Sequence, residues 1–216
     1  MYRIVFLVLS SICILGGCME NTTTTFRLPY YNDAEFTPIF ILNKNEVAQK
    51  IPHTISNFSF LNQNNQIVDQ KRIDNKIHVA NFIFTSCGSI CPIMTQNMKL
   101  VSDSIGRDTN LVFLSFSVTP WIDKPNILKL YKERNKINNN NWEFLTGAKS
   151  EIYQLARKSY FAEEAIGFSK DSSSFLHTEH FILVDKTKRI RGIYNGTLAL
   201  EMLQLIDDIY TLQKEN

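Results

Sequence analysis

Cysteine, net charge and long apolar runs are all scarce in this sequence. Only four of its 216 residues are cysteine, which argues against a disulfide-rich scaffold. The formal net charge is +2, too small to indicate a nucleic-acid partner or an electrostatically bound membrane surface. The apolar run near the N-terminus is shorter than the roughly 20 residues that a membrane-spanning helix needs. What remains is 44% apolar and 20% charged, typical of one globular domain with an appendage.

The first eighteen residues have the pattern of a secretory signal. Arg3 gives a positive start, residues 4–15 are apolar except for two serines, and "LGGC" ends at Cys18. The leucine and two glycines before Cys18 resemble the bacterial lipobox. That resemblance implies that residues 1–17 are removed and that Cys18 carries lipid. An ordinary cleaved signal with an incidental cysteine is the alternative. We therefore expect a membrane-anchored lipoprotein of the bacterial cell envelope, with its domain in the periplasm.

Residues 18–49 are predicted to be a lipidated tether followed by an irregular segment, and residues 50–216 the domain itself. The stretch "MENTTTTFR" (19–27) is polar and Thr-rich and has no core-forming pattern. Cys13 leaves with the signal, so the mature domain keeps Cys87 and Cys91 as its cysteine pair. That pair serves chemistry or one local bridge.

Strand and helix patterns alternate from residue 50 onward. Alternating phenylalanines before the turn signal "NQNNQ" predict a first hairpin, and continuous apolar runs predict strands buried on both faces. The predicted strands are 76–85, 111–118, 142–147, 180–185 and 189–196, and the predicted helices are 92–105, 123–135, 148–161 and 198–213. This order predicts an α/β fold with a mixed, largely parallel central sheet, helices on its faces and an antiparallel hairpin at its edge.

The pair Cys87 and Cys91 falls where the first buried strand gives way to a helix. Residues four apart on a helix share a face, so the two thiols are expected to face the same spot. A helix N-terminus also favours a thiolate. Because the thiolate is both the nucleophile and the metal-binding form, two chemistries stay open: making and breaking a disulfide, or holding a soft metal.

The motif TxCxxxCP, here residues 85–92, resembles the Sco/SenC family of copper-binding assembly proteins, which adopt a thioredoxin-like fold. "LSFSVTPWIDKP", "WEFLTG" and "FLHTEHFILVDKTKRIRGIYNGT" resemble further segments of that family in consistent order. The resemblance implies that Cys87, Cys91 and His177 bind copper as Cu(I) or Cu(II), and that the two cysteines can form a disulfide. Gly88 departs from the family, which more often has Pro there. Glycine loosens the loop but removes no ligand.

Three other histidines compete with His177. His78 lies inside a predicted buried strand and is interpreted as a core residue, and His53 is interpreted as a surface group. His180 is three residues from His177, so the two point to opposite faces of an extended chain. The residues alone leave this choice open, and the resemblance favours His177 because Thr178 follows it.

Two further features each have two interpretations. Met94 and Met98 could assist a Cu(I) site, but core packing of the first helix is the preferred interpretation. Asp123 could support a cysteine ligand or a partner contact, as the resemblance implies, or it could be the N-cap of the helix that follows.

Two functions of different classes follow. The first is a copper chaperone that matures the dinuclear copper site of cytochrome c oxidase, with the oxidase copper subunit or another dithiol client as its partner. Such a protein is not an enzyme in the usual sense. The alternative is a thiol-disulfide oxidoreductase with Cys87 and Cys91 as the catalytic redox pair. The histidine separates the two because thiol exchange needs no third ligand. A purely structural disulfide on an inert domain is a third possibility, and no nucleic-acid partner is expected.

Overall fold

The computed structural model describes residues 27–106, 108–162 and 178–215. Two of the predicted site residues, Cys18 and His177, lie outside these ranges. Within them, no helix is long and apolar enough to cross a membrane.

Seven strands form one mixed sheet in the order β2-β1-β5-β4-β3-β6-β7. The strands are β1 (Ser59–Asn62), β2 (Ile67–Asp69), β3 (Ile77–Ile83), β4 (Leu111–Ser117), β5 (Trp142–Thr146), β6 (His180–Val184) and β7 (Ile190–Asn195). β3, β4 and β5 are parallel neighbours. β1–β2 and β6–β7 are antiparallel hairpins at the two edges. The predicted mixed α/β sheet of a thioredoxin-like fold, with added hairpins, is therefore confirmed.

Five α-helices accompany the sheet: α1 (Val47–Lys50), α2 (Ile90–Ile105), α3 (Pro125–Arg134), α4 (Lys149–Lys158) and α5 (Ala199–Lys214). Short 3₁₀ turns at Lys44–Glu46 and Gln70–Arg72 complete the regular structure of the described residues. The helix predicted over 148–161 is longer than the observed α4, which ends at Lys158. Tyr160 then turns into the core, where it is fully buried and bonds to His78.

Two apolar cores lie on opposite faces of the sheet. α4 contributes Ile152 and Leu155 to the first core, which also contains Ile182 of β6. α2 and α5 supply Met94 and Met202 to the second core, and Phe181 of β6 lies there. Because neighbouring strand residues point to opposite faces, β6 contributes alternately to the two cores.

The N-terminal segment packs against the amino end of β3 and the outer strand β7. Tyr30 and Ile39 pair through backbone hydrogen bonds, and Tyr31 bonds to Ile190 at the start of β7. Arg191 is buried and donates to the backbone oxygens of Leu28 and Pro29. The same guanidinium pairs with two carboxylates, those of Asp185 and Glu215. This network fixes residues 28–31 to the rest of the domain.

Candidate metal centre

The cysteine pair lies at the carboxyl end of β3. Cys87 is in the loop between β3 and α2, and Cys91 is the second residue of α2. The N–H of Cys91 donates to Sγ of Cys87 at 3.5 Å, and the N–H of Cys87 donates to the Phe84 oxygen at 3.2 Å. Both are free thiols. The expected meeting of the thiols thus comes from a turn ahead of the helix and not from helical periodicity, because α2 begins only at Ile90.

The pKa values of the two thiols are shifted in opposite directions. Partial burial acts to raise the pKa of Cys87, but the N–H groups of Cys91, Ser89 and Ile90 and the thiol of Cys91 outweigh it, and the net pKa is lowered. Burial raises the pKa of Cys91 to about 12, with Cys87 and Asp123 adding to the rise. The expectation that a helix N-terminus favours the thiolate therefore holds for Cys87 and is wrong for Cys91, whose desolvation dominates. Cys87 is thus partly exposed and ionises more readily than an ordinary cysteine, whereas Cys91 is buried and ionises less readily.

Asp123 is fully buried beside the pair. Its carboxylate accepts four hydrogen bonds: from the N–H of Thr85 at 3.1 Å, the hydroxyl of Thr85 at 2.5 Å, the hydroxyl of Ser117 at 2.6 Å and the hydroxyl of Thr119 at 2.9 Å. The N-cap interpretation is wrong, since Lys124 occupies that position and α3 begins at Pro125. Asp123 instead fixes Thr85, two residues before Cys87, to the end of β4.

Helix α3 and the loop before it complete the surroundings. The hydroxyls of Tyr131 and Thr95 lie 2.7 Å apart, which ties α3 to α2. Trp121 and Ile122, directly before Asp123, are 50% and 47% exposed. Ile93, two residues after Cys91, is 50% exposed. Three exposed apolar side chains thus lie on two segments, one on the helix that carries Cys91 and two in the loop that carries Asp123.

Two of the described histidines make their contacts away from the pair. His78 is fully buried, as predicted, and its Nε2 lies 3.0 Å from the Tyr160 hydroxyl. Burial lowers its pKa to about 3. His53 is half-buried, not at the surface as predicted, because its Nε2 lies 2.8 Å from the backbone oxygen of Ser159.

His180 opens β6 and meets the ring of Phe36 edge-on at 5.9 Å. By strand alternation it shares a face with Ile182, which belongs to the first core. Cys91 belongs to the second core, together with Phe181. The sheet therefore separates the side chain of His180 from the thiol pair.

The donor set of the pair fits copper in its reduced state. Two thiols in contact suit Cu(I), which prefers soft sulfur ligands. Among the described residues, no group of three His, Cys, Asp or Glu side chains could hold a metal ion. The interpretation of Met94 and Met98 as core residues is confirmed, because both are fully buried in the second core. The third ligand that the family resemblance implies, His177, lies outside the described residues.

Several residues of the site escaped sequence reasoning. Ser117 and Thr119 bond to Asp123, and Tyr131 packs against the core that contains Cys91. A signal was present for Ser117, a polar residue at the end of a mostly apolar strand. Tyr131 had none, because its helical spacing indicates only a core-facing position.

Comparison with known proteins agrees with this geometry. The family model SCO1/SenC matches residues 46–212. The chain is 30% identical to the SCO1 protein homolog of Bacillus subtilis, over 76% of this chain and 85% of that protein. A SCO1/SenC family lipoprotein of Bacillus anthracis has a solved structure that is 27% identical, with a TM-score of 0.65 over 75% of this chain and 96% of that one. BsSco, whose structure is described as showing a disulfide switch in a member of the Sco family of cytochrome c oxidase assembly proteins, is 29% identical, with a TM-score of 0.63 over 76% of this chain and 95% of that one. The chain belongs to the SCO1/SenC family.

Proposed function

We propose that this protein is a copper chaperone that binds copper through Cys87, Cys91 and His177 and delivers it to the dinuclear copper site of cytochrome c oxidase. The observation that carries the proposal is the contact between the Cys91 N–H and Sγ of Cys87. The two side chains are also hydrogen-bonded to each other, so two soft donors meet at the carboxyl end of β3, with Cys87 partly exposed to a partner. Membership of a family that includes an oxidase assembly protein supports the choice of client.

The choice of His177 is supported by the placement of the other histidines. His78 and His53 are engaged elsewhere, and His180 belongs to the opposite face of the sheet. A thiolate pair suits Cu(I), and an added imidazole allows Cu(II) to bind as well. Copper binding releases the thiol protons, so affinity falls as the pH is lowered.

The protein is proposed to work from the membrane. Residues 1–17 act as a signal and Cys18 carries lipid, which leaves the domain in the periplasm beside a membrane-bound client. The similarity to a Bacillus anthracis lipoprotein supports this part. The exposed side chain of Ile93 on the helix of Cys91, and those of Trp121 and Ile122 beside Asp123, offer apolar surface for contact with the client.

A thiol-disulfide oxidoreductase is the second candidate, and one observation favours it. Cys87 is half-exposed with a lowered pKa, whereas Cys91 is buried with a raised one. Disulfide exchange starts with attack by a thiolate, so an accessible thiol of lowered pKa beside a second thiol favours it. The pair could then reduce the cysteines of the client before copper is transferred.

Substitution of the histidine in cells separates the two functions. His177→Ala should lower the yield of copper-loaded oxidase while leaving disulfide exchange by the purified protein within a few-fold. His180→Ala is the control and should leave oxidase assembly intact, with the amount of each variant measured by immunoblot. Normal assembly with His177→Ala, together with failure of Cys91→Ala, would make thiol exchange the working function.

A further inference from the structure

Phe40 and Leu42 project from the N-terminal segment into solvent. Their exposed fractions are 66% and 83%. Ile39 and Ile41, which alternate with them, pack into the small core formed with Val47. The alternation is that of an extended chain with one face on the domain and one face outward. Both outward residues are large and apolar.

The position of this pair is fixed by the domain. Ile39 is bonded to Tyr30 through two backbone hydrogen bonds of 2.9 Å, and Ile41 is 5% exposed. The side chain of Arg27 donates to the backbone oxygen of Leu42. Arg27 is also where the chain joins residues 18–26. The exposed pair therefore lies directly at the point where the tether enters the domain.

The tether limits how far this point can lie from the lipid. Nine Cα–Cα steps lead from Cys18 to Arg27, so fully extended this stretch spans at most about 32 Å. A surface held this close to a bilayer meets it at high effective concentration, and weak apolar contacts suffice to dock it. From the exposed pair, its place at the tether and the length of the tether, we infer that Phe40 and Leu42 rest on the lipid surface. The inference depends on the proposed lipid anchor at Cys18.

The charges of the segment indicate which lipids it accepts. Within residues 27–50 three basic side chains, Arg27, Lys44 and Lys50, are balanced by three acidic ones, Asp33, Glu35 and Glu46. Lys50 already pairs with Glu46 at 2.6 Å. The contact is therefore apolar, independent of anionic lipid and insensitive to salt.

This contact also orients the thiol pair. Tyr30 and Val47, which pack with Ile39 and Ile41, lie beside Ile77 at the amino end of β3, and Cys87 follows the carboxyl end of β3. The seven residues of β3 separate these two ends by about 20 Å. With Phe40 and Leu42 on the bilayer, the thiols of Cys87 and Cys91 lie on the side of the domain away from the membrane. They then face the protruding domain of a membrane-bound client.

Quenching of tryptophan by brominated lipid tests the contact. The full lipidated chain is reconstituted into phosphatidylcholine vesicles whose acyl chains carry bromine, as Phe40→Trp and as the control Leu200→Trp. Leu200 is 78% exposed and lies at the start of α5, at the other end of the domain. After subtraction of the unsubstituted chain, which supplies the native tryptophans, quenching should be at least about twofold greater for Phe40→Trp. High salt should leave it unchanged. Adding Leu42→Ser should weaken it, whereas adding Leu203→Ser on α5 should not.

Flotation with the vesicles is measured in the same samples and reports the anchor separately. A chain that does not float refutes the lipid at Cys18 and the inference with it. A chain that floats but shows equal quenching of both tryptophans refutes the surface contact alone. If the tryptophan at position 40 is then shielded from an aqueous quencher, a second copy of the chain covers the patch and lipid does not.

Discussion

Replacement of Asp123 by Asn tests how the cysteine loop is held in place. The carboxylate is fully buried and accepts four hydrogen bonds. Bonds to a charged acceptor contribute about 1.5–3 kcal/mol each, and a donor left unpaired in the interior costs about 1–3 kcal/mol. Asn keeps one acceptor oxygen, and hydroxyls can rotate to accept from its amide, so part of the network survives. We expect the free energy of unfolding to fall by about 2–4 kcal/mol.

Urea denaturation followed by circular dichroism measures this loss, with Asp103→Asn as the matched control. The Asp103 side chain is 62% exposed and pairs with Lys99 on its own helix, so its loss should cost less than about 1 kcal/mol. A helix N-cap at Asp123 would contribute only about 1 kcal/mol. Equal effects of the two substitutions would refute the assignment of Asp123 as the buried acceptor that fixes the loop.

Three further predictions concern the loop and the core. At pH 7–8 iodoacetamide should alkylate Cys87 well before Cys91 in the native protein, because their pKa values are lowered and raised respectively; equal alkylation rates in peptide mass spectrometry would contradict these opposite shifts. Between pH 6.5 and about 3, His78 binds a proton in the unfolded chain but stays neutral in the folded chain. The free energy of unfolding should therefore fall on acidification by about 1.4 kcal/mol per pH unit through His78. His78→Gln should remove that part of the slope, and identical slopes in denaturation curves of both proteins would show that His78 is not excluded from titration. Gly88→Ala should be tolerated and raise stability by about 0.4–1 kcal/mol, since nothing lies within 4 Å of an added Cβ there; a loss of stability or of copper binding would mean that the loop needs glycine.

The parts of the fold that local pattern dictates could be predicted from the sequence. β3 and β4 are buried along their whole length, and continuous apolar runs predicted them. The start of α2 beside Pro92 was predicted because proline is tolerated in a first helical turn, where an N–H would have no helical partner. The position of the cysteine pair between a strand and a helix followed from these two elements.

The remaining features of the fold depend on long-range packing, which local sequence patterns do not specify. β5 lies between β4 and β1, with Leu61 opposite Thr146, and no local pattern specifies that pairing. α4 stops at Lys158 because Tyr160 is drawn into the core, where it meets His78. A helical period alone could not show this, since the partner is far away in sequence.

The chemistry of the site was likewise predictable from the sequence only in part. The position of the two thiols between a strand and a helix was predicted, but their opposite pKa shifts depend on how deeply each is buried. The hydrogen bonds to Asp123 come from two segments, the loop after β3 with Thr85 and the end of β4 with Ser117 and Thr119, and the first of these reaches Asp123 only in the folded chain. From sequence alone a carboxylate before a helix is equally well explained as an N-cap.

Copper titration of the reduced and the oxidised protein tests the central claim most directly. With a competing Cu(I) chelator, the reduced chain should bind about one copper, because Cys87 and Cys91 supply the soft donors. After oxidation of the pair to a disulfide, which mass spectrometry verifies, binding should disappear, since both thiolates are consumed. A copper stoichiometry unchanged by oxidation would place the metal elsewhere in the chain and contradict the proposed site at Cys87 and Cys91.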